Sequence, residues 1–127
     1  HTGNFRAATM SIEALDLQLA RLLPVIDALG GVALITADHG NADEMFEIDK
    51  KTKQPAQNPD GSFKAKTAHT LNPVPLILYD NTTGGKLSLK QTATAGLSNI
   101  AATVAGLLGL EKHASWDESL LEVSSKG

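Results

Sequence analysis

Several kinds of residue are scarce or missing in this 127-residue sequence, and each gap excludes a class of function. Cysteine is absent, which excludes disulfides, thiolate metal sites and a cysteine nucleophile. Aromatic residues make up only 4%, so the core must rest on aliphatic side chains. The 14 acidic residues barely outnumber the 11 basic ones, which argues against charge-driven binding to nucleic acid or anionic membranes. No apolar run reaches the roughly 18 residues that span a bilayer, and no secretory signal is recognisable.

The remaining composition is that of a globular chain, 42% hydrophobic, and its first recognisable pattern is a helix. Apolar residues recur at intervals of three and four and form one stripe: Ile12, Leu15, Leu19, Leu22, Leu23, Ile26 and Leu29. Asn4 or Ser11 is the expected N-cap, and the pair Gly30 and Gly31 is a strong C-terminal stop. Pro24 lies inside this stretch, but the stripe continues on both sides of it, so we predict that the helix persists.

Strands and a second helix are predicted further along the chain. Residues 32–37 form a short apolar run rich in branched side chains, which predicts a strand buried on both faces, as in a parallel α/β sheet. Residues 74–79 predict a second strand, and residues 86–89 predict a short third one. The lysine-rich residues 47–67 contain a tight-turn signature and predict an exposed, hairpin-like excursion. A last helix is predicted over Ser98–Leu108, with its first residue as the N-cap.

These elements are too few to close a sheet domain. Two or three strands with two helices leave at least one sheet edge uncovered, and a doubly wound sheet usually has more strands. The sequence also begins with His1 rather than with methionine. We therefore expect residues 1–127 to be a portion of a larger α/β/α domain.

Asp38 and His39, which follow the first predicted strand, form the most informative pair in the sequence. Ligands of open α/β sheets bind at the carboxyl ends of strands, and a carboxylate beside an imidazole can ligate a divalent metal. Both side chains reach one metal only if the chain leaves the extended form there, which Gly40 would ease. His69 precedes the second strand and His1 precedes the first helix, so all three histidines adjoin element ends. One aspartate with three histidines suits manganese, zinc or iron better than calcium.

Three segments of the sequence resemble the motifs of one enzyme family. Thr36–Asp43 reads TADHGNAD, His1–Phe5 reads HTGNF, and Thr67–Thr70 is followed by Asn72–Pro75, which reads NPVP. In this order and at these separations they resemble the signature of the cofactor-independent (2,3-bisphosphoglycerate-independent) phosphoglycerate mutases, which belong to the alkaline phosphatase superfamily. The resemblance covers essentially the whole chain. It implies an α/β fold consisting of a partial alkaline-phosphatase-like sheet with flanking helices.

The resemblance also implies a chemistry. The family interconverts 3-phosphoglycerate and 2-phosphoglycerate in glycolysis, through a transiently phosphorylated serine and two divalent metal ions, with manganese expected before zinc, magnesium or cobalt. By motif, Asp38 and His39 would ligate one ion, and His1 and His69 would ligate the other. The chain would be the C-terminal portion of the metal-binding phosphatase-like domain, lacking the nucleophilic serine and the transferase domain that grips the substrate. We therefore assign no catalytic residue to it, and we expect it to be inactive alone, cytoplasmic, and without nucleic-acid or membrane partners.

Two alternatives stay open. One is another hydrolase or phosphomutase of the alkaline phosphatase superfamily, although the sequence context of Asn72–Pro75 argues against it. The other is a non-catalytic structural domain in which Asp38 and His39 are an ordinary surface pair, since an isolated pair of this kind more often has no metal than has one.

Overall fold

The structure, a computed structural model, describes residues 2–124, which belong to two compact units. One unit comprises the chain up to Arg21 together with Ala37–Pro75, and the other comprises Leu22–Thr36 together with the chain from Leu76 onward. In chain order the elements are α1 (Phe5–Ala28), β1 (Val32–Thr36), β2 (Leu76–Asp80), β3 (Leu87–Leu89), a short 3-10 helix (Leu97–Asn99), α2 (Ile100–Leu107) and β4 (Leu121–Val123). None of the helices in this range has the length and apolarity needed to cross a membrane.

Helix α1 begins and ends where its flanking residues predict. The side-chain Oδ1 of Asn4 accepts a hydrogen bond from the amide of Ala7 at 3.0 Å, which makes Asn4 the N-cap. The helix continues through Pro24, as predicted. It ends at Gly30, whose φ of +62° favours glycine, and the amide of Gly31 then donates at 2.8 Å to the carbonyl five residues earlier. Local chemistry alone therefore determines both ends of this helix.

The apolar stripe of α1 is only partly covered. Three members in the C-terminal half of the helix are half-buried: Leu19, Leu23 and Ile26. Four others are between 53% and 80% exposed: Ile12, Leu15, Leu22 and Leu29. The spacing of apolar residues thus predicted the helix correctly, but it did not predict how much of the stripe is covered within residues 2–124.

Strands β1 and β2 pair antiparallel, unlike the strands of the parallel sheet that the apolar run of residues 32–37 indicated. Val32 lies opposite Asp80, and Thr36 lies opposite Leu76. A parallel pair needs a crossover connection, usually a helix, whereas the connecting segment from Ala37 to Pro75 contains turns and isolated bridges without a helix. The burial on both faces predicted for this strand is also not found within residues 2–124, since Val32–Ile35 are half-buried and Thr36 is exposed. An apolar run carries no information about strand direction.

The hairpin-like excursion predicted for residues 47–67 is confirmed. Isolated antiparallel bridges join Phe46 to Ala65, Ile48 to Pro55, and Gln57 to Phe63, so the chain reverses twice. The second reversal is the predicted turn, in which the amide of Gly61 donates to the carbonyl of Asn58 at 3.0 Å. At the base of this excursion the ring of Phe46 stacks on that of Phe5, with centroids 5.7 Å apart.

In the other unit, the chain beyond α2 is anchored to the helix by two buried polar side chains. Thr103 is fully buried; its hydroxyl donates to the carbonyl of Asn99 at 2.8 Å and accepts from the amide of Leu120 at 2.9 Å. The amide group of Asn99 donates to the carbonyl of Glu118 at 2.8 Å, and its oxygen accepts from the amide of Gly96 at 2.8 Å. The N-cap position of α2 is Asn99 rather than the predicted Ser98, and the Asn99 side chain makes no capping hydrogen bond to the helix. Strand β3, the short strand predicted at residues 86–89, pairs antiparallel with β4, which was not predicted.

Candidate metal centre

Asp38 and His39 lie where the chain turns away from β1. The strand ends at Thr36, and the bend occurs at Asp38 and His39 themselves, before Gly40. As a result both side chains point to one place: Oδ2 of Asp38 lies 3.6 Å from Nε2 of His39. The requirement that the chain leave its extended form at this point is therefore met.

His69 lies directly against His39. Their imidazole rings stack with centroids 3.6 Å apart and planes inclined by 11°. An antiparallel bridge between Gly40 and Thr70 makes this contact possible, because the amide of Thr70 donates to the carbonyl of Gly40 at 2.9 Å. Three of the four predicted ligands, Asp38, His39 and His69, thus meet in one region, and the fourth, His1, lies outside the described residues.

The orientation of His39 suits a metal ligand. Its Nδ1 lies 3.1 Å from the carbonyl oxygen of Gly40. A carbonyl oxygen can only accept, so Nδ1 is the donor of this bond, and Nε2 is the ring atom that faces Asp38. Metal-binding histidines commonly donate their second ring N–H to such an acceptor, which holds the ring in place. The side chains of Asp38 and His39 are 86% and 31% exposed, so an ion would have access to both.

Within residues 2–124, no three His, Asp or Glu side chains converge closely enough to hold a metal ion by themselves. The oxygen of Asp38 and the nitrogens of the two histidines are donors that divalent transition metals accept. Asp38, His39 and His69 therefore fit such ions, but only as part of a ligand set that needs further donors.

Behind the histidines lies a polar network that the sequence analysis did not identify. The hydroxyl of Thr70 donates to Oδ2 of Asp43 at 2.8 Å, and the amide of Asn72 donates to the same oxygen at 2.6 Å. These two bonds, the one from Thr70 first, lower the pKa of Asp43 below its usual value. Asn72 also donates to Glu44 at 2.9 Å, and the ion pair of Lys66 with Glu44 is the largest cause of a lowered pKa at that carboxyl. Asp43, Thr70 and Asn72 lie within the three motif segments, but nothing in the sequence indicated that they contact one another.

Gly40 is needed in this region for space. A Cβ atom at this position would lie 2.1 Å from Oγ1 of Thr70 and 2.7 Å from Oδ1 of Asp43. Both distances are far below any real contact, so a side chain at residue 40 would displace Thr70 or Asp43. The bend itself occurs earlier, and the function of Gly40 is therefore to allow two segments to approach closely.

Comparison with known proteins identifies the family of this chain. A family model described as the metalloenzyme superfamily matches residues 1–112. The chain is 40% identical over 125 residues to a 2,3-bisphosphoglycerate-independent phosphoglycerate mutase of Trypanosoma brucei brucei, and 39% identical over 126 residues to that of Mesembryanthemum crystallinum. In both comparisons the match covers 98% of this chain and 22% of the relative, so the chain spans about a fifth of the length of the curated relatives it matches.

A solved structure supports the same relationship. The structure, titled as Leishmania mexicana phosphoglycerate mutase at low cobalt concentration, superposes with a TM-score of 0.89 at 37% identity, covering 98% of this chain and 23% of that one. The match confirms the α/β fold class, a partial alkaline-phosphatase-like sheet with flanking helices, although the strand pair β1 and β2 is antiparallel. The resemblance inferred from the three sequence motifs is likewise confirmed.

Proposed function

Since the chain belongs to the metalloenzyme superfamily, we propose that it forms the C-terminal portion of the phosphatase-like domain of a phosphoglycerate mutase. The proposed enzyme interconverts 3-phosphoglycerate and 2-phosphoglycerate through a phosphorylated serine, as a cytoplasmic step of glycolysis. The observation that carries the proposal is the contact between His39 and His69. Two segments that each resemble a metal-binding motif of the family are brought together with their rings 3.6 Å apart.

In this proposal the chain holds two divalent metal ions, with manganese expected before zinc, magnesium or cobalt. Asp38 and His39 ligate one ion, and His69 with His1 ligates the other. When bound, such ions neutralise the negative charge of a phosphoryl group in transfer and stabilise the attacking and leaving oxygens. His39 contributes a fixed Nε2 lone pair, because its Nδ1 proton is held by the carbonyl of Gly40 at 3.1 Å. Asp38 contributes a negative charge 3.6 Å from that nitrogen.

The chain contributes neither the nucleophile nor the groups that grip the substrate. The proposed serine and the arginines that bind phosphoglycerate belong to other parts of the enzyme, consistent with relatives about five times as long. Each ion also needs ligands beyond those described in this chain. We therefore expect the 127 residues alone to show no turnover of 3-phosphoglycerate with added Mn²⁺, and turnover by the isolated chain would contradict this division of roles.

The test uses the complete natural protein and compares His39→Ala with His113→Ala. Both changes remove an imidazole, but His113 lies outside the candidate centre, where its Nδ1 is paired with the hydroxyl of Ser115 at 2.7 Å. With Mn²⁺ and 3-phosphoglycerate, we expect wild type and His113→Ala to form 2-phosphoglycerate and His39→Ala to form none. The products are followed by ³¹P NMR.

The same spectra distinguish the alternatives. Release of inorganic phosphate without 2-phosphoglycerate would identify a hydrolase of the same superfamily and overturn the mutase assignment. Equal activity in His39→Ala and wild type, or no dependence on added metal after chelation, would overturn the metal-centre assignment. A phosphomutase acting on another substrate would leave 3-phosphoglycerate unchanged, and that result would also contradict the proposal.

A further inference from the structure

We propose that Asp43 and Thr70 are positioning residues. They hold the imidazole rings of His39 and His69 beside each other for metal binding. The inference rests on the proposed function, because it assigns a purpose to the network behind the candidate ligands. Neither residue is a proposed ligand. Their effect is transmitted through the backbone that carries the two histidines.

The carbonyl oxygen of Gly40 accepts two hydrogen bonds, one from each of the paired segments. This oxygen accepts from Nδ1 of His39 at 3.1 Å and from the amide of Thr70 at 2.9 Å. A single atom therefore orients one ring and anchors the residue that follows the other ring. If Thr70 moves away from Gly40, His69 moves with it, because the two residues are adjacent in the chain.

A side-chain hydrogen bond to Asp43 keeps Thr70 in place. Its hydroxyl donates at 2.8 Å to the carboxylate of Asp43, a residue 27 positions away in the chain. Asn72 adds a second bond to the same oxygen at 2.6 Å. Hydrogen bonds to an ionised carboxylate are about twice as strong as neutral ones, and the pair is partly shielded because Thr70 is only 8% exposed. We call the hydrogen bond from Thr70 to Asp43 the clamp, because it joins two segments that are distant in the chain.

The absence of a side chain at Gly40 provides the space for this clamp. A Cβ at residue 40 would fall 2.1 Å from Oγ1 of Thr70 and 2.7 Å from Oδ1 of Asp43. The glycine therefore lies against both partners of the bond that the proposal invokes. Hydrogen bonds around metal ligands usually change affinity by about 10- to 100-fold when they are removed, so the clamp predicts a measurable effect on metal binding.

The experiment measures Co²⁺ affinity by titration calorimetry and the visible absorption of bound Co²⁺ in the complete natural protein. The variants are Thr70→Val, which removes the hydroxyl at nearly constant volume, Thr70→Ser, which retains it, and Asp43→Ala, which removes the acceptor at an exposed position. The matched control is Thr82→Val, because the hydroxyl of Thr82 donates to the carboxylate of Asp80 at 2.7 Å and Thr82 belongs to the other unit.

We expect Thr70→Val and Asp43→Ala each to weaken Co²⁺ binding by about tenfold or more and to alter its absorption spectrum. Thr70→Ser and Thr82→Val should bind like wild type. The double variant of Asp43 and Thr70 should lose little more than either single variant, because the two residues act through one bond. Circular dichroism of the metal-free proteins establishes that each variant is folded, and Asp43→Ala provides the test if Thr70→Val does not fold.

The outcomes separate this inference from the proposed function. If wild type binds Co²⁺ and His39→Ala does not, while Asp43→Ala and Thr70→Val bind like wild type, the clamp is refuted and the metal centre stands. If Thr70→Ser loses affinity as severely as Thr70→Val, the hydroxyl is not responsible and the clamp is refuted. If wild type itself does not bind Co²⁺, both the proposed function and the inference fail.

Discussion

Replacing Thr103 with valine tests how strongly one buried hydroxyl anchors the chain beyond α2. Thr103 is 0% exposed, and its Oγ1 accepts from the amide of Leu120 at 2.9 Å. Valine has nearly the same volume, so no cavity forms, but the Leu120 N–H is left without its partner in a residue only 5% exposed. An unsatisfied buried donor costs about 1–3 kcal/mol. We therefore expect the free energy of unfolding to fall by about 2 kcal/mol.

Urea denaturation followed by circular dichroism measures this loss, and native-state hydrogen exchange at the Leu120 amide locates it. Thr9→Val is the matched control, because the hydroxyl of Thr9 donates to the carbonyl of Phe5 at 3.0 Å in the same i to i−4 pattern but at an exposed position. The control should change the unfolding free energy by less than about 0.5 kcal/mol. Thr103→Ser retains both hydrogen bonds and loses only a methyl group. If Thr103→Val is no less stable than Thr9→Val, or exchange at Leu120 is unchanged, the reasoning is refuted.

Two further predictions concern the glycine of the candidate centre and a carboxylate in the other unit. Gly40→Ala should lower the free energy of unfolding by about 1–3 kcal/mol through overpacking, because its Cβ would lie 2.1 Å from Oγ1 of Thr70. Gly96→Ala, whose Cβ would meet nothing closer than 3.8 Å, should change it little, and equal losses in thermal melts of the two variants would contradict the steric argument. Hydrogen bonds lower the pKa of Asp80 from 3.8 to about 2, and the bond from the side chain of Thr83 has the largest effect. The stabilisation that the Asp80 carboxylate provides is therefore present above pH 3.8 and is lost as the pH falls through 2. A ¹³C NMR titration of the Asp80 carboxyl should give a midpoint of about 2 that rises toward 3.8 in Thr83→Val, whereas a wild-type midpoint at 3.8 would show that the bonds do not persist in solution.

The elements that sequence reasoning predicted well are those whose ends depend on local chemistry. Asn4 caps α1 through its own side chain, and Gly30 ends the helix because it adopts a φ of +62°. Gly109, at φ +69°, follows α2 in the same way. The direction of β2 relative to β1 could not be predicted, since a short apolar run has the same composition in either direction.

In the candidate metal centre, too, the individual residues could be recognised from the sequence but their contacts could not. Asp38, His39 and His69 were identified because each adjoins an element end within a recognisable motif. Their contact depends on the pairing of Gly40 with Thr70, a bridge across 30 positions that no local periodicity encodes. The network around Asp43 was missed for the same reason, because its donors become neighbours only after the chain has folded.

The sequence by itself therefore determined where α1 ends and that the connecting segment reverses in hairpin-like turns. It also offered Asn4 as one of two N-caps for α1, and Asp38, His39 and His69 as metal ligands, which stay a prediction. Only the tertiary structure decided the antiparallel pairing of β1 with β2, the stacking of His39 on His69, and the clamp from Thr70 to Asp43. The physical reason is the separation along the chain between the groups that interact. Caps and turns are satisfied by atoms a few residues away, whereas the contacts that assemble the centre join segments 27 to 30 residues apart and exist only when the chain between them has closed.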